Sequence, residues 1–202
     1  MRNILLLLGL IVFVASCKSD LVRPSEAMSL PAKTQDGFQV VVEIPAGTNH
    51  KVEYDKVSKS FKVDQINGAD RVIDFLPYPG NYGFIPSTFM DPEKGGDGDA
   101  LDVLVISESV PTGTLLECLP VAVLLLEDRG EIDSKIIAVP LDPTKRVIEA
   151  DDFQSFFLRY DAARYIIEQW FLNYKGFGSM QIKRWEDDNY AWGEINRWIV
   201  EK

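Results

Sequence analysis

Apolar residues fall into two regimes along the 202-residue chain. Up to about position 140 they form short runs rich in Val, Ile and Leu, cut by Pro and Gly. QVVVEI lies at 39–44, further runs at 51–54 and 61–66, VLVI at 103–106, and LLECLPVAVLLL at 115–126. Such runs predict strands of a barrel or sandwich. Pro120 inside the longest run predicts an edge or a bulge, because proline cannot donate to a ladder. After position 150 the period changes. Asp151 and Asp152 open a segment in which Ile166, Ile167, Trp170, Phe171 and Tyr174 recur at helical spacing. This predicts one amphipathic helix, stopped at Gly176 and Gly178. A last helix is predicted over 188–202, with Ala191, Ile195, Trp198 and Ile199 on one face. Strands first and helices last predict a mainly β, α+β fold.

Composition adds limits. With 46% hydrophobic and 26% charged residues the chain suits one globular domain with a real core. A net charge of −10 argues against nucleic acid and against an anionic membrane surface as partners. An anionic substrate would have to be drawn by local cations. The first sixteen residues, MRNILLLLGLIVFVAS, carry Arg2 and an apolar stretch at 4–14 that is too short to span a bilayer. The following VASC resembles a bacterial lipobox, which implies a signal peptide at 1–16 cut before an acylated Cys17. Residues 17–36, rich in Ser, Pro and charge, are then expected to be a flexible tether, and 37–202 the folded domain. Under this reading the protein sits in the cell envelope, on the periplasmic or the outer membrane side, touching membrane through its lipid anchor alone; under the sorting rule of some bacteria Lys18 after the cysteine favours the outer membrane. The other cysteine, Cys118, lies in an apolar run and is expected in the core. The sole histidine, His50, is expected on a surface loop.

Candidate chemistry centres on GGDGDALDVLVIS at 95–107. Asp97, Asp99 and Asp102 fall within one turn-rich hexapeptide at the lip of a predicted strand. Two unit charges ~4 Å apart repel by ~4 kcal/mol at an effective dielectric of ~20, so this crowding calls for protonation or a hard cation. Oxygen-only ligands suit Mg²⁺, Mn²⁺ or Ca²⁺. An acidic solvated turn would also look like this. An EF-hand loop would not, since Leu101 stands where a fifth-position ligand belongs and Asp102 where a glycine belongs.

Five more blocks accompany the hexapeptide in order. They are Glu43-Ile44-Pro45; Lys51-Val52-Glu53; Tyr78-Pro79 with Asn81-Tyr82-Gly83; Asp128, Asp133 and Lys135 followed by IIAVP; and Tyr174-Lys175. Together with D-x-D-x-x-D they resemble the family I soluble inorganic pyrophosphatases over about 43–175. One departure stands out: Val63-Asp64 is followed by Gln65 where many members carry the phosphate-binding arginine, and the next arginine is Arg71.

The resemblance implies a small distorted OB-like β-barrel with the C-terminal helices packed outside. It implies Mg²⁺-dependent hydrolysis of pyrophosphate, taken up as its Mg complex, to two phosphates without a covalent intermediate, with Mn²⁺ as a substitute metal. It implies a homo-oligomer, commonly a hexamer. By the same resemblance several Mg²⁺ ions bind per site: Asp97, Asp102 and Asp133 hold one, Asp102 helps hold a second, Asp128 helps with a further, substrate-borne metal, and Glu53 acts on metal through water. Asp99 takes or orients the proton of the attacking water. Lys51, Arg71 (or Gln65 in its place), Tyr82, Lys135, Tyr174 and Lys175 contact phosphate, while Glu43 and Tyr78 support the cavity. Two other classes compete. A calcium- or phosphate-binding lipoprotein without turnover would not need this full set of cations and phenols. An OB-type oligonucleotide binder would need a basic cleft, against which the acidic clustering speaks.

Overall fold

The structure is a computed structural model and describes residues 20–128, 130–176 and 178–200. Its strands, in chain order, are β1 (Phe38–Ile44), β2 (Val52–Asp55), β3 (Ser60–Val63), β4 (Gln65–Ile66), β5 (Ala69–Asp70), β6 (Asn81–Phe84), β7 (Asp102–Val105), β8 (Leu115–Asp128), β9 (Glu131–Pro140) and β10 (Met180–Glu186). Three helices, α1 (Phe153–Arg159), α2 (Asp161–Asn173) and α3 (Asp188–Trp198), complete the elements that matter here.

Five strands close a ring. β1 pairs with β6, β6 with β7, β7 with β9, β9 with β8, and β8 returns to β1. Only β7–β9 is parallel. The 14-residue β8 does two jobs. Its first half pairs with β1, the register slips between Pro120 and Ala122, and its second half carries β10 outside the ring. The slip falls at the proline, which has no N–H to give. β2–β3 and β4–β5 form two small hairpins beside the ring. The expected OB-like barrel with outer helices is the observed architecture.

The apolar runs are continuous because both faces of the sheet are covered. Val103 and Val105 of β7 pack with Ala191, Ile195 and Trp198 of α3. Leu104 between them packs with Ile167, Trp170 and Phe171 of α2. β9 alternates likewise, Ile136 and Ala138 facing α3, Ile137 and Val139 facing α2. Cys118 is fully buried in the α3 cluster, as expected for a core thiol. His50 is exposed, also as expected.

Several expectations need correction. The single helix predicted after 151 is two. Asp152 caps α1 reciprocally with Ser155, but Tyr160, at φ −123° and ψ 33°, breaks the path before α2 starts. Ile166 is exposed, so the core face of α2 is Ile167, Trp170 and Phe171. α3 stops at Trp198, and Ile199 turns extended to bridge Thr88. β10 was not expected: its sequence MQIKRWE puts charge on an outer strand and hides the period of two.

The largest difference lies before β1. Cys17, the signal peptide and residues 17–19 of the expected tether fall outside the described residues. From Asp20 onward the segment is docked, not free. Leu115 N–H donates to Asp20 O (2.9 Å), Val22 N–H to Gly113 O (2.8 Å), and Gln39 N–H to Ala32 O (2.8 Å). A 3-10 turn at Pro24–Ser29 buries Ala27 completely. Composition hid this, because the segment is held mainly by its backbone and a few small side chains.

Two glycines test the packing with opposite signs. A Cβ on Gly83 would lie 2.0 Å from Val41 O on the paired strand, whereas one on Gly193 of α3 meets nothing within 4 Å. Gly83→Ala should therefore cost about 2–3 kcal/mol, and Gly193→Ala should stabilise by up to ~1 kcal/mol. Paired thermal melts check both; equal shifts in one direction would contradict the ring geometry.

Candidate active site

The parallel pairing of β7 with β9 sets Asp102 opposite Lys135. Asp133, two residues earlier on β9, shares the face of Lys135 by the period of a strand. Lys135 Nζ thus reaches both carboxylates: it hydrogen-bonds Asp102 Oδ2 and lies 2.5 Å from Asp133 Oδ1. Lys135 is buried, and Tyr82, from the neighbouring β6, lays its ring 5.7 Å from the ammonium.

Two recesses meet at this centre. One, of about 170 Å³, is lined by Asp97, Asp102, Asp128, Asp133 and Lys135 together with Lys51, Tyr82, Tyr174 and Lys175. The other, of about 140 Å³, holds Glu43, Glu53 and Asp99, and shares Lys51, Tyr82 and Asp102 with the first. Asp102 therefore stands between them. The turn at 97–99 is held by Asp97 Oδ1, which accepts the Asp99 N–H (2.9 Å), and it directs the two carboxylates to different recesses.

The cations are placed by backbone links across distant segments. Lys51 N–H donates to Arg71 O (2.9 Å), Asp64 N–H to Lys51 O (2.8 Å), and Arg71 N–H to Asp64 O (2.7 Å). Lys51 Nζ pairs with Glu53 at 2.5 Å, and Arg71 pairs with Asp64 at 3.0 Å. Arg71 lines a cavity with Tyr174 and Lys175, while Gln65 binds Asp70 in the exposed β4–β5 hairpin. Gln65 also lines a separate cavity with Glu53, so the two candidates border the site on different sides. Lys175 donates to Asp128 Oδ2 at 2.6 Å, and Tyr174 stacks on Trp170 with ring centroids 4.6 Å apart. Tyr78 is buried between Tyr82 and Trp170, a packing support and not a lining residue.

Sequence reasoning missed five contributors. Lys56 pairs with Asp99 at 2.7 Å. Asp64 holds Arg71. Asn81 is buried, donating to Ser107 Oγ (2.9 Å) and Glu108 O (2.8 Å) while accepting the N–H of Ala46 and of Val110 (both 3.0 Å); it ties the loop after β1 to the loop after β7. Tyr54 and Met28 line the smaller recess. Asn81 and Asp64 lay inside the quoted motifs and could have been noticed there. The others touch the site only through contacts distant in sequence.

The residues from 40 to 201 match the family model described as Inorganic pyrophosphatase. The chain belongs to the inorganic pyrophosphatase family. An inorganic pyrophosphatase of Neisseria meningitidis is 34% identical over 161 residues, covering 76% of this chain and 82% of the relative. One from Aeropyrum pernix is 47% identical over a shorter 112 residues, 54% of this chain and 58% of its own. The crystal structure of the inorganic pyrophosphatase from Thermus thermophilus superposes with a TM-score of 0.74 at 30% identity, over 86% of this chain and 97% of that one.

Does the site of this family member fit a divalent ion? Among the described residues no three acidic, histidine or cysteine side chains already converge as a ligand set. Lys135 stands between Asp102 and Asp133 instead, so the two carboxylates are close enough to share one cation. Burial, reinforced by Asp102 and Asp133, raises the Asp97 carboxyl above its usual range. That repulsion is what a further cation would relieve. An oxygen-only donor set with excess negative charge fits a hard divalent ion. Burial alone would weaken the proton on Lys135, but Asp102 and Asp133 hold its pKa well above the ordinary value. Burial also pushes the Tyr82 phenol well up, with Asp102 adding to it, so Tyr82 meets a ligand as a neutral donor.

Glu43 carries the clearest pH signature. Burial, with Asp102 and Glu53 adding to it, raises its pKa from 4.5 to about 8 against the opposing hydrogen bond from Tyr54 N–H. Between those values the folded chain keeps a proton that the unfolded chain has lost, so stability falls as pH rises from about 4.5 toward 8. Glu43→Gln keeps the acceptor for Tyr54 and removes the titration. In chelator, the variant should melt with the parent near pH 4.5 and above it at pH 8. A gap that widened on acidification would contradict the assignment.

Proposed function

We propose that the protein hydrolyses inorganic pyrophosphate to two phosphates in a Mg²⁺-dependent reaction with no covalent enzyme intermediate. The observation that carries the reading is the acidic pair Asp102–Asp133 closed on Lys135 and ringed by Lys51, Tyr82, Tyr174 and Lys175. An acidic centre for cations inside a rim of cations and phenols is the arrangement a multiply charged phosphate anhydride requires.

In this reading Asp97, Asp102 and Asp133 hold Mg²⁺, or Mn²⁺ in its place, with Glu53 and Asp128 at the margins. Bound divalent ions supply a water of lowered pKa and neutralise phosphate charge. Lys51, Arg71, Lys135 and Lys175 grip phosphate oxygens, and Tyr82 and Tyr174 donate from neutral phenols. Asp99, in the recess next to Asp102, takes the proton of the attacking water, with Lys56 at 2.7 Å fixing its carboxylate. Glu43 stands behind as a protonated neighbour that adds no charge.

The test is phosphate release from pyrophosphate, with and without Mg²⁺. Asp102→Asn should lower the rate on the order of a hundredfold or more while leaving the melting curve cooperative. Asp99→Asn should keep Mg²⁺ affinity and lose rate. Near-normal turnover of Asp102→Asn would overturn the reading.

The placement in the cell is a second part of the proposal. Acylation of Cys17 would anchor the chain in the envelope, and its three-residue separation from the docked Asp20 allows the barrel at most ~10 Å of slack from the bilayer. Metabolic labelling with a radiolabelled fatty acid should mark the parent and not Cys17→Ser; a parent chain that took up no label would refute the anchor. The homo-oligomer, a hexamer by the family's habit, is supported only by half-exposed Tyr165 and Ile166 on α2, and sedimentation decides it.

A further inference from the structure

The docked N-terminal segment reaches the smaller recess. Met28 forms part of its wall, alongside Glu43, Lys51, Glu53, Asp99 and Asp102. The segment lies outside the family match, which begins at 40. It is fastened at four places: Asp20 to the first residue of β8 and Val22 to the loop before it, Ala27 into a pocket with Val41, Phe84 and Ala100, Met28 O to Ser87 N–H (3.1 Å), and Leu30 O to Ser87 Oγ (2.8 Å).

One side chain joins this segment to the acidic residues. Tyr54 of β2 donates its hydroxyl to Pro24 O at 2.7 Å. Its backbone N–H donates to Glu43 Oε1, also at 2.7 Å. Its ring packs against Phe61 and Phe84, with centroids 5.3 and 5.8 Å away. Glu53 is its immediate neighbour. The 3-10 turn thus sets where Tyr54 sits, and Tyr54 sets both the Glu43 carboxyl and the strand that carries Glu53.

We propose that residues 20–30 are a working wall of the active site, and that Tyr54 is the positioning residue through which their docking aligns Glu43 and Glu53 for the hydrolysis proposed above. Tyr54 touches no reacting atom in this scheme. The segment lies next to the proposed anchor, so whatever pulls on the anchor reaches the site through Tyr54.

Two variants of the full chain release the segment from different ends and leave every proposed ligand intact. Ala27→Arg cannot fit a fully buried pocket and pries the turn off the barrel. Tyr54→Phe keeps the ring packing and the backbone bond to Glu43 but drops the bond to Pro24. Amide exchange at Val22 and Ser87, whose N–H groups close the segment to the barrel, reads docking; steady-state hydrolysis reads the site. Both variants should exchange faster at these amides and lose about tenfold in kcat with KM within twofold, while the barrel amides of β7 and β9 stay protected. Tyr54→Trp, which restores an aromatic N–H donor, should recover part of the loss. If Ala27→Arg exchanges freely at Val22 and Ser87 yet turns over like the parent, the segment is only a packing strap and the proposal is wrong. A parent chain that released no phosphate would instead sink the functional reading itself, and this proposal with it.

Discussion

A buried ammonium between two carboxylates is the constraint on which the rest of this structure depends. Burying any one of these charges alone would cost more than a small domain can spare. Lys135 can stay charged in the wall of the barrel only because Asp102 and Asp133 meet it there, and they meet it only because β7 and β9 run parallel in one register. A slip of one residue would turn Asp133 and Lys135 to the α3 side and put Ser134 in their place. Fold and chemistry are therefore specified by the same strand pairing.

The surroundings hold that pairing still. Gly83 lets β6 approach β1 closer than any side chain would permit. Asn81 uses all of its amide bonding capacity to fix the loops after β1 and β7. The cations at the rim come from separated parts of the chain, yet Lys51, Asp64 and Arg71 are bonded backbone to backbone. None of them depends on a long free side chain finding its place from solvent. A rigid frame of this kind suits a reaction in which the protein positions charge and forms no bond to substrate.

How much of this was legible in the sequence follows from the range of each interaction. Local signals worked. The strand after the triple aspartate, the irregularity at Pro120 and the helix carrying Ala191, Ile195 and Trp198 are all dictated by near neighbours, and each is present. Asp97, Asp102 and Asp133 line one recess, but among the described residues no three acidic side chains close into a ligand set. Non-local effects were missed. β10 has too much charge to announce itself, because it covers only the outside of β8. Tyr160 interrupts a continuous helical period, with its hydroxyl accepting the Glu149 N–H (2.8 Å) and its ring packed on the cluster under α2. Residues 20–36 look like linker because their hold is backbone bonding, which leaves no mark on composition. Met28, Tyr54 and Lys56 serve the site through contacts across the fold that no spacing along the chain could reveal.

The same range argument locates the decisive point. If Asp102 and Asp133 share a cation because the strands place them together, then a divalent ion should bind at that point. The most direct measurement is anomalous diffraction from crystals soaked in Mn²⁺. The expected result is a peak within bonding distance of carboxylate oxygens from both Asp102 and Asp133. A manganese peak that contacted neither, with Lys135 still bridging the two at saturating metal, would contradict the account.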